Sequence, residues 1–168
     1  IVELLIVIVV IGILAAISIV AYNGIQQRAR DTQRISDIAA IEKALEMYYI
    51  DHGRFPDSSG SSTINNYWST TADSSWANLE SALVPEYMSE LPKDPVSRPG
   101  RNPQAANAEN LNYAYFKNIA SYCQADPHKM YILVYKFEAR DQVNKYVGDC
   151  PSGGLSYAPS SNLRVVKE

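Results

Sequence analysis

The hydrophobic pattern divides the chain into an unbroken apolar run, an amphipathic run, and a longer region of short alternating stretches. In the apolar run, Ile1–Tyr22, Glu3 is the only charged side chain and Ser18 the only other clearly polar one. From Leu4 to Ala21 this run is about the length of a membrane-spanning helix, which needs roughly 20 apolar residues. The pattern therefore predicts an N-terminal hydrophobic stalk attached to a soluble body.

The predicted helix continues well beyond the apolar run. No proline precedes Pro56, and Gly53 stands where a helix C-terminal glycine is expected, so one helix should reach about Asp51. Its second part is amphipathic, with apolar residues at helical spacing: Ile35, Ile38, Ile41, Leu45 and Tyr48. Charged residues occupy the other faces: Arg28, Arg30, Asp31, Arg34, Asp37, Glu42, Lys43 and Glu46. These charges form either a solvated face with local pairs or contacts between subunits.

Two positions weaken the predicted helix, because a glycine costs up to about 1 kcal/mol relative to alanine. Gly12 permits either close helix packing or local unwinding, and both interpretations stay open. The Asn23-Gly24 pair allows a bend where the apolar part ends. Gly12 and Gly24 are therefore the predicted sites of helix flexibility.

The region after the helix begins with a polar segment. Residues 57–75 are rich in serine and threonine and are predicted to be a surface loop. A short helix should follow over Ser75–Leu83, with Asp73 or Ser74 as its cap. Its apolar face would carry three residues: Trp76, Leu79 and Leu83.

Strand patterns follow towards the C-terminus. Leu111–Lys117 alternates, and Lys129–Glu138 is the strongest β segment. Val143–Gly148 is a third candidate, and Leu163–Val166 is a possible short edge strand. The sequence therefore predicts an α+β fold, in which a small antiparallel sheet packs on the amphipathic half of the long helix. Three units are expected: an apolar helix over 1–24, its amphipathic continuation over 25–56, and a globular head over 57–168.

Candidate chemistry is sparse. The net charge is −3 and no region is basic enough to indicate nucleic-acid binding. His52 and His128 are the two histidines, and neither stands in a metal-binding or nucleophile motif. We therefore name no catalytic residue, metal ligand or cofactor, and expect a protein that is not an enzyme.

The residues of the apolar run carry a family resemblance. Val2-Glu3-Leu4-Leu5-Ile6-Val7-Ile8, followed by Gly12-Ile13-Leu14-Ala15-Ala16-Ile17, resembles the N-terminal methylation motif of type IV pilins and type II secretion pseudopilins. Mature pilins usually begin with a methylated aromatic residue a few positions before the glutamate. Since the glutamate is residue 3 here, the first one or two mature residues would precede this sequence.

The resemblance implies that the chain polymerises through its stalk. Glu3 would pair with the free N-terminal amine of a neighbouring subunit, because an ionised carboxylate in a dry helix bundle is costly unless paired. The apolar contacts between stalks would come from Leu4, Leu5, Ile8, Ile11, Gly12, Leu14 and Ile17. The implied partners are further copies of the chain, the inner membrane before assembly, a prepilin peptidase and the pilus assembly machinery.

A second, shorter resemblance lies in the middle of the chain. Leu91-Pro92-Lys93-Asp94-Pro95, with Tyr113-Ala114-Tyr115 further on, resembles a linker of major pseudopilins and some pilins. Val96-Ser97 replaces the Trp-Gly that often follows there. Major pseudopilins also bind calcium in a loop of their sheet, but that loop does not align with residues of this chain.

Cys123 and Cys150 are the two cysteines. If the body is extracytoplasmic, a single disulfide between them is expected, and the alternative is two free thiols in a reducing compartment. Closing this loop would stabilise the body by roughly 3 kcal/mol in the chain-entropy model.

The sequence favours a major type IV pilin, a structural subunit anchored in the membrane before assembly and exposed at the cell surface in an extracellular pilus. Motility, adhesion and DNA uptake are family-level roles, and contact with DNA or a host surface is possible without being indicated. The alternatives are a type II secretion pseudopilin and a single-pass membrane-anchored binding module that never polymerises.

Overall fold

The structure is a computed structural model. It describes residues 2–58, 67–103, 110–117, 129–141, 145–147 and 162–167. The elements in chain order are α1 (Val2–His52), β1 (Ser69–Thr70), α2 (Trp76–Leu83), β2 (Ala114–Lys117), β3 (Met130–Tyr135), β4 (Lys145–Val147) and β5 (Asn162–Lys167). A long helix packed beside a small sheet confirms the predicted α+β class. The division into units at residues 24 and 56 stays a prediction.

The long helix α1 runs without a break through both suspected weak points, Gly12 and Asn23-Gly24. It ends where the glycine signal predicted, because Gly53 has a φ of 65° that other residues adopt only with strain. The Gly53 N–H donates to the carbonyl of Tyr49 at 2.8 Å, which satisfies one of the last helical carbonyls.

The short helix α2 buries Trp76, Leu79 and Leu83, as the spacing predicted. The predicted cap is wrong, because Ser75 is the N-cap residue and makes no side-chain cap bond. Asp73 instead accepts the Ser75 N–H at 2.9 Å and forms a turn before the helix. The Ser75 hydroxyl accepts the N–H of Thr70 at 3.0 Å, which fastens the start of α2 to β1.

The sheet has five strands in the order β1-β2-β3-β5-β4. The pairs β1–β2, β2–β3 and β3–β5 are antiparallel, whereas β4 pairs with β5 in parallel. Two predictions are corrected here. The last strand was expected at an edge but lies between β3 and β4, and β1 falls inside the segment predicted to be a loop.

The core lies between α1, α2 and the sheet. Ile38, Ile41 and Leu45 of α1 are buried as predicted, and Ala44 joins them. From the other elements the core receives Phe55, Trp76, Leu79, Leu83, Leu91, Tyr113, Tyr115, Tyr131, Leu133 and Tyr135. Ile35 was predicted to be part of the buried face but is 41% exposed. Three of these core tyrosines come from the sheet: Tyr115 from β2, and Tyr131 and Tyr135 from β3.

We expect Leu45→Ala to destabilise the head by about 2–5 kcal/mol, because Leu45 is fully buried and its removal leaves a cavity. The matched control is Ile50→Ala on the same helix, where the side chain is 79% exposed and the cost should stay within about 0.5 kcal/mol. Denaturant unfolding of the detergent-solubilised chain measures both. Equal costs for the two variants would contradict the packing of α1.

Candidate assembly interface

The N-terminal part of α1 is an exposed apolar surface. Between Val2 and Ile17 the large apolar side chains are 47% to 73% exposed. By length and composition α1 is the one helix among the described residues that could cross a membrane, although a signal sequence near an N-terminus passes the same test. An apolar surface of this length is stable only in lipid or against other apolar surfaces.

The predicted assembly residues all lie on this surface. Glu3 is exposed in the first turn of α1, where the helix dipole favours a negative charge. The six apolar residues named for stalk contacts are exposed: Leu4, Leu5, Ile8, Ile11, Leu14 and Ile17. A side chain at Gly12 or Gly24 would meet nothing within 4 Å, so both glycines face open space. The roles of these residues in assembly and flexibility stay predictions.

Cys123 and Cys150 lie outside the residues that the structure describes, so the disulfide also stays a prediction. Within the described ranges no group of three or more His, Cys, Asp or Glu side chains is gathered as a metal site would require. No calcium ligand is therefore assigned.

Where α1 enters the head, five charged residues form what we call the junction cluster: Arg30, Asp31, Arg34, Asp94 and Glu138. The first three come from α1, Asp94 from the segment after α2, and Glu138 from the residues after β3. Two guanidinium groups thus face three carboxylates. The cluster joins three separate parts of the chain at one point.

Arg34 is the centre of the junction cluster and its side chain is 0% exposed. Its Nε and Nη2 donate to the two carboxylate oxygens of Asp94 at 2.6 and 3.0 Å, a bidentate pair. Its Nη1 lies 2.8 Å from Asp31 Oδ1 and 2.7 Å from Glu138 Oε1. Burial by itself lowers the pKa of Arg34, but the hydrogen bonds and charge of Asp94, helped by Glu138 and Asp31, outweigh it and raise that pKa.

Glu138 and Asp31 hold the end of β3 against α1. Arg30 donates to both Glu138 oxygens at 2.8 and 2.6 Å. Asp31 accepts the backbone N–H groups of Glu138 and Ala139 at 2.9 and 2.8 Å. Burial raises the pKa of Glu138, but hydrogen bonds from Arg30 and Arg34 outweigh that effect and hold its pKa below the ordinary 4.5.

Another buried carboxylate, Asp37, lies about one turn beyond Arg34 on α1. Asp37 accepts hydrogen bonds from the Tyr113 hydroxyl at 2.8 Å and from Gln33 Nε2 at 2.7 Å. Burial, together with the bond to Asp37, raises the pKa of Tyr113. Asp37 thereby links α1 to the residue just before β2.

The segment that resembles the pseudopilin linker fastens α2 to α1. Leu91 lies in the core, and the Pro92 carbonyl accepts the indole N–H of Trp76 at 3.1 Å. Asp94 binds Arg34 and also accepts the Val96 N–H at 2.8 Å, so that the chain turns at Pro95. The contacts of this short segment therefore hold α2 and α1 together.

The sequence interpretation missed the junction cluster. The charges of α1 were expected on a solvated face or at a subunit contact, but Asp31, Arg34 and Asp37 are buried within the head. One signal was present, because Arg34 precedes Ile38 by four residues and Ile41 by seven and so lies on the buried face. The partner Glu138 could not be found, since nothing local relates it to Arg34.

A long helix with an exposed apolar stalk, joined to an α+β head, defines a protein of the type IV pilin and pseudopilin superfamily. The family model described as type II secretion system (T2SS), protein G matches residues 22–114, more than half of the chain. The chain therefore belongs to that family.

Individual relatives support the same assignment. The type II secretion system core protein G of Aeromonas hydrophila is 41% identical over 54 residues, which are 32% of this chain and 38% of that protein. The core protein G of Klebsiella pneumoniae is 30% identical over 95 residues, 55% of this chain and 64% of that protein. The type IV major pilin protein PilE1 of Neisseria gonorrhoeae is 35% identical over 63 residues, 38% of each chain.

The chain spans less than two thirds of the length of these curated relatives. No solved structure matches it.

We expect Asp94→Ala to destabilise the head by about 3–5 kcal/mol, because it leaves the buried Arg34 charge without its bidentate partner. The control Arg54→Ala removes a surface pair with Asp57 at 3.8 Å and should cost no more than about 1 kcal/mol. The double variant Arg34→Met/Asp94→Leu should recover only part of the loss, because it removes both charges of the bidentate pair but leaves the buried Asp31 without its arginine. Thermal unfolding compares all three, and a mild Asp94→Ala phenotype would contradict the cluster's burial.

We also expect the stability gained from Glu138 to depend on pH. Its folded pKa is lower than its unfolded pKa, so its contribution is present above about pH 4.5 and is lost as the pH falls through the folded value. Wild type should therefore exceed Glu138→Gln in free energy of unfolding at neutral pH, and the difference should shrink in acid. Denaturant titrations of both proteins from about pH 7 to about pH 3 measure it. A difference that is constant with pH would contradict the lowered pKa.

Proposed function

We propose that this chain is a pseudopilin, a non-enzymatic structural subunit of a type II secretion system. It would be anchored in the membrane through its stalk and then assemble with other copies into an extracytoplasmic filament. The prepilin peptidase and assembly machinery expected from the sequence belong to this proposal. The family match and the relatives named core protein G support a pseudopilin over the major type IV pilin that the sequence favoured.

The observation that carries the proposal is an apolar stalk without contacts on a helix whose other half is fixed in the head. Residues 2–17 expose their apolar side chains all round the helix, whereas Ile38, Ile41 and Leu45 are buried. The surface that must leave water is therefore separate from the surface that stabilises the head. This arrangement is suited to a subunit that polymerises through its stalk.

The energetics of assembly follow from this separation. In the membrane the stalk contacts lipid, and in a filament it would contact the stalks of neighbouring copies. Apolar surface stays out of water in both surroundings, so moving between them need not cost the full hydrophobic term, which is about 25 cal/mol per Å². Small differences in helix packing can then decide which state is favoured.

Glu3 is the polar exception on the stalk. At a membrane surface its carboxylate remains hydrated, but inside a bundle of stalks it would be desolvated and would need a cationic partner. The N-terminal amine of a neighbouring copy supplies that charge in the proposal. Pairing would occur only at one axial register, so Glu3 would select the register as well as favour assembly.

A major type IV pilin remains the second candidate, because the PilE1 relatives match over a similar share of the chain. The two functions predict different phenotypes in a strain that lacks the chain. Loss of protein release into the medium supports the pseudopilin, and loss of surface fibres with normal release supports the pilin. A plain membrane-anchored module predicts neither.

We expect Glu3→Ala to remain in the membrane but to fail to restore protein release in the deletion strain, because its stalks lack the paired charge that fixes register. The matched control is Glu90→Ala, an exposed carboxylate in the head that should restore release like wild type. Membrane fractionation and assay of secreted proteins in the medium measure both effects. Full restoration by Glu3→Ala would rule out the proposed role of this residue.

A further inference from the structure

Where the stalk meets the head, one face of α1 carries an aromatic, an apolar and a basic side chain. Tyr22 is 60% exposed, Ile25 is 65% exposed, and Arg28 is also exposed. Residues three apart are neighbours on a helix surface, so these three form a continuous band that we call the interface stripe. The head covers the other side of α1, where Asp31 and Arg34 are buried. The interface stripe therefore faces the surroundings of the subunit.

The charge of the interface stripe is not used by the head. Arg30 and Arg34 are held by carboxylates of the junction cluster. In the part of the chain that the structure describes, the Arg28 guanidinium has neither an ion pair nor a hydrogen bond, and its backbone carbonyl accepts the Thr32 hydroxyl at 2.9 Å. The charge of Arg28 is thus available to a partner outside the chain.

The axial positions of the stripe match the layers of a bilayer. From Leu4 to Tyr22 the apolar run spans roughly 27 Å at ~1.5 Å per residue, close to the ~30 Å thickness of the hydrocarbon layer. With the run across that layer, Tyr22 lies at its edge, where tyrosine is enriched in membrane proteins. Arg28 lies roughly 9 Å further along the axis, just beyond a headgroup layer of about 5–7 Å.

Helix geometry directs the Arg28 side chain back towards the membrane. The Cα–Cβ bonds of an α-helix tilt towards its N-terminus, and long side chains follow that direction. An arginine also lays its apolar stem along apolar surface and keeps its charged end in a polar layer. The guanidinium would therefore lie level with the lipid phosphates, and Ile25 would lie between it and the hydrocarbon.

A guanidinium at this level favours an anionic lipid. Its planar donors match two phosphate oxygens, which makes arginine a strong phosphate ligand. In a zwitterionic lipid the neighbouring ammonium group offsets the attraction, whereas an anionic headgroup has no such group. The attraction of one arginine to an anionic membrane surface corresponds to roughly a fivefold preference.

We propose that the interface stripe is a binding site for an anionic phospholipid, with Arg28 bound to the headgroup phosphate and Tyr22 at the edge of the hydrocarbon. This inference rests on the proposed function, because it concerns the copy that waits in the membrane, and it names the class of lipid which that copy binds. Arg28 also sets how far α1 enters the bilayer, since a deeper position would desolvate its charge. A copy that leaves the membrane loses this contact, so Arg28 favours the membrane-bound state.

Lipid photo-cross-linking tests the site. A benzophenone amino acid replaces Ile25 in the full chain, which is then reconstituted in vesicles of equal parts phosphatidylglycerol and phosphatidylcholine with matched acyl chains. After illumination, mass spectrometry counts the adducts of each lipid. We expect phosphatidylglycerol adducts to exceed phosphatidylcholine adducts by roughly fivefold at low salt, and this ratio to fall as salt is added. Equal numbers of the two adducts at low salt would overturn the proposal.

Variants of Arg28 test which group binds the lipid. Arg28→Gln should make the two adducts nearly equal, whereas Arg28→Lys should keep most of the preference because it keeps the charge. Arg28→Gln/Ser36→Arg keeps the net charge but moves it roughly 12 Å along α1 to another exposed position, and it should not restore the preference.

The matched control for these variants is Lys43→Gln. It removes the same charge at an exposed site roughly 22 Å beyond Arg28 on α1, outside the headgroup layer, and should leave the adduct ratio unchanged. An unchanged ratio in Arg28→Gln, an equal loss in Lys43→Gln, or recovery through Ser36→Arg would show that Arg28 does not bind the lipid.

The vesicles contain no secretion system, so these results are separate from the pseudopilin proposal. If the adducts are equal while loss of the chain abolishes protein release, the pseudopilin function is supported and the lipid site is wrong. If the preference depends on Arg28 but release is normal without the chain, the lipid site is supported and the secretion role is wrong.

Discussion

Arg34 imposes the constraint on which the rest of the head depends. A guanidinium fully removed from water is stable only where carboxylates surround it, and here they come from α1 itself, from the linker and from the end of β3. Satisfying that one charge therefore brings three distant parts of the sequence to the same place. Buried ion pairs often add little net stability compared with apolar side chains. We therefore infer that the main role of the junction cluster is to fix the orientation of the head relative to α1.

The helix serves two purposes along its length. Up to Ile17 its side chains face outward on every side, and from Asp31 onward one face is covered by α2 and the sheet. The change occurs at the junction cluster, where charges take the place of apolar contacts. Beyond it, Ile38, Ile41 and Leu45 continue the buried face, while Ile35 and Ile50 remain on the outside. A single helix thus carries both the exposed apolar stalk and one face of the core.

Much of this fold was predictable from local patterns. The extent of α1 followed from the absence of proline and from Gly53, and the buried face of α2 followed from its spacing. The errors arose where tertiary contacts decide the outcome. β1 is two residues long and exists only because β2 offers it an edge, and the place of β5 between β3 and β4 has no local signal. The burial of Asp31 and Arg34 depends on Asp94 and Glu138, which lie far away in sequence.

The composition of the core determines how the head responds to a change in the surroundings of the stalk. Its residues in the described part of the chain begin at Ile38, well after the stalk ends. A change in what surrounds residues 2–17 therefore leaves the interior of the head untouched. Under the proposed function, the head would fold once and keep the same interior through each exchange of neighbours. Joining or leaving a filament would then change the solvation of one helix surface, with no refolding step.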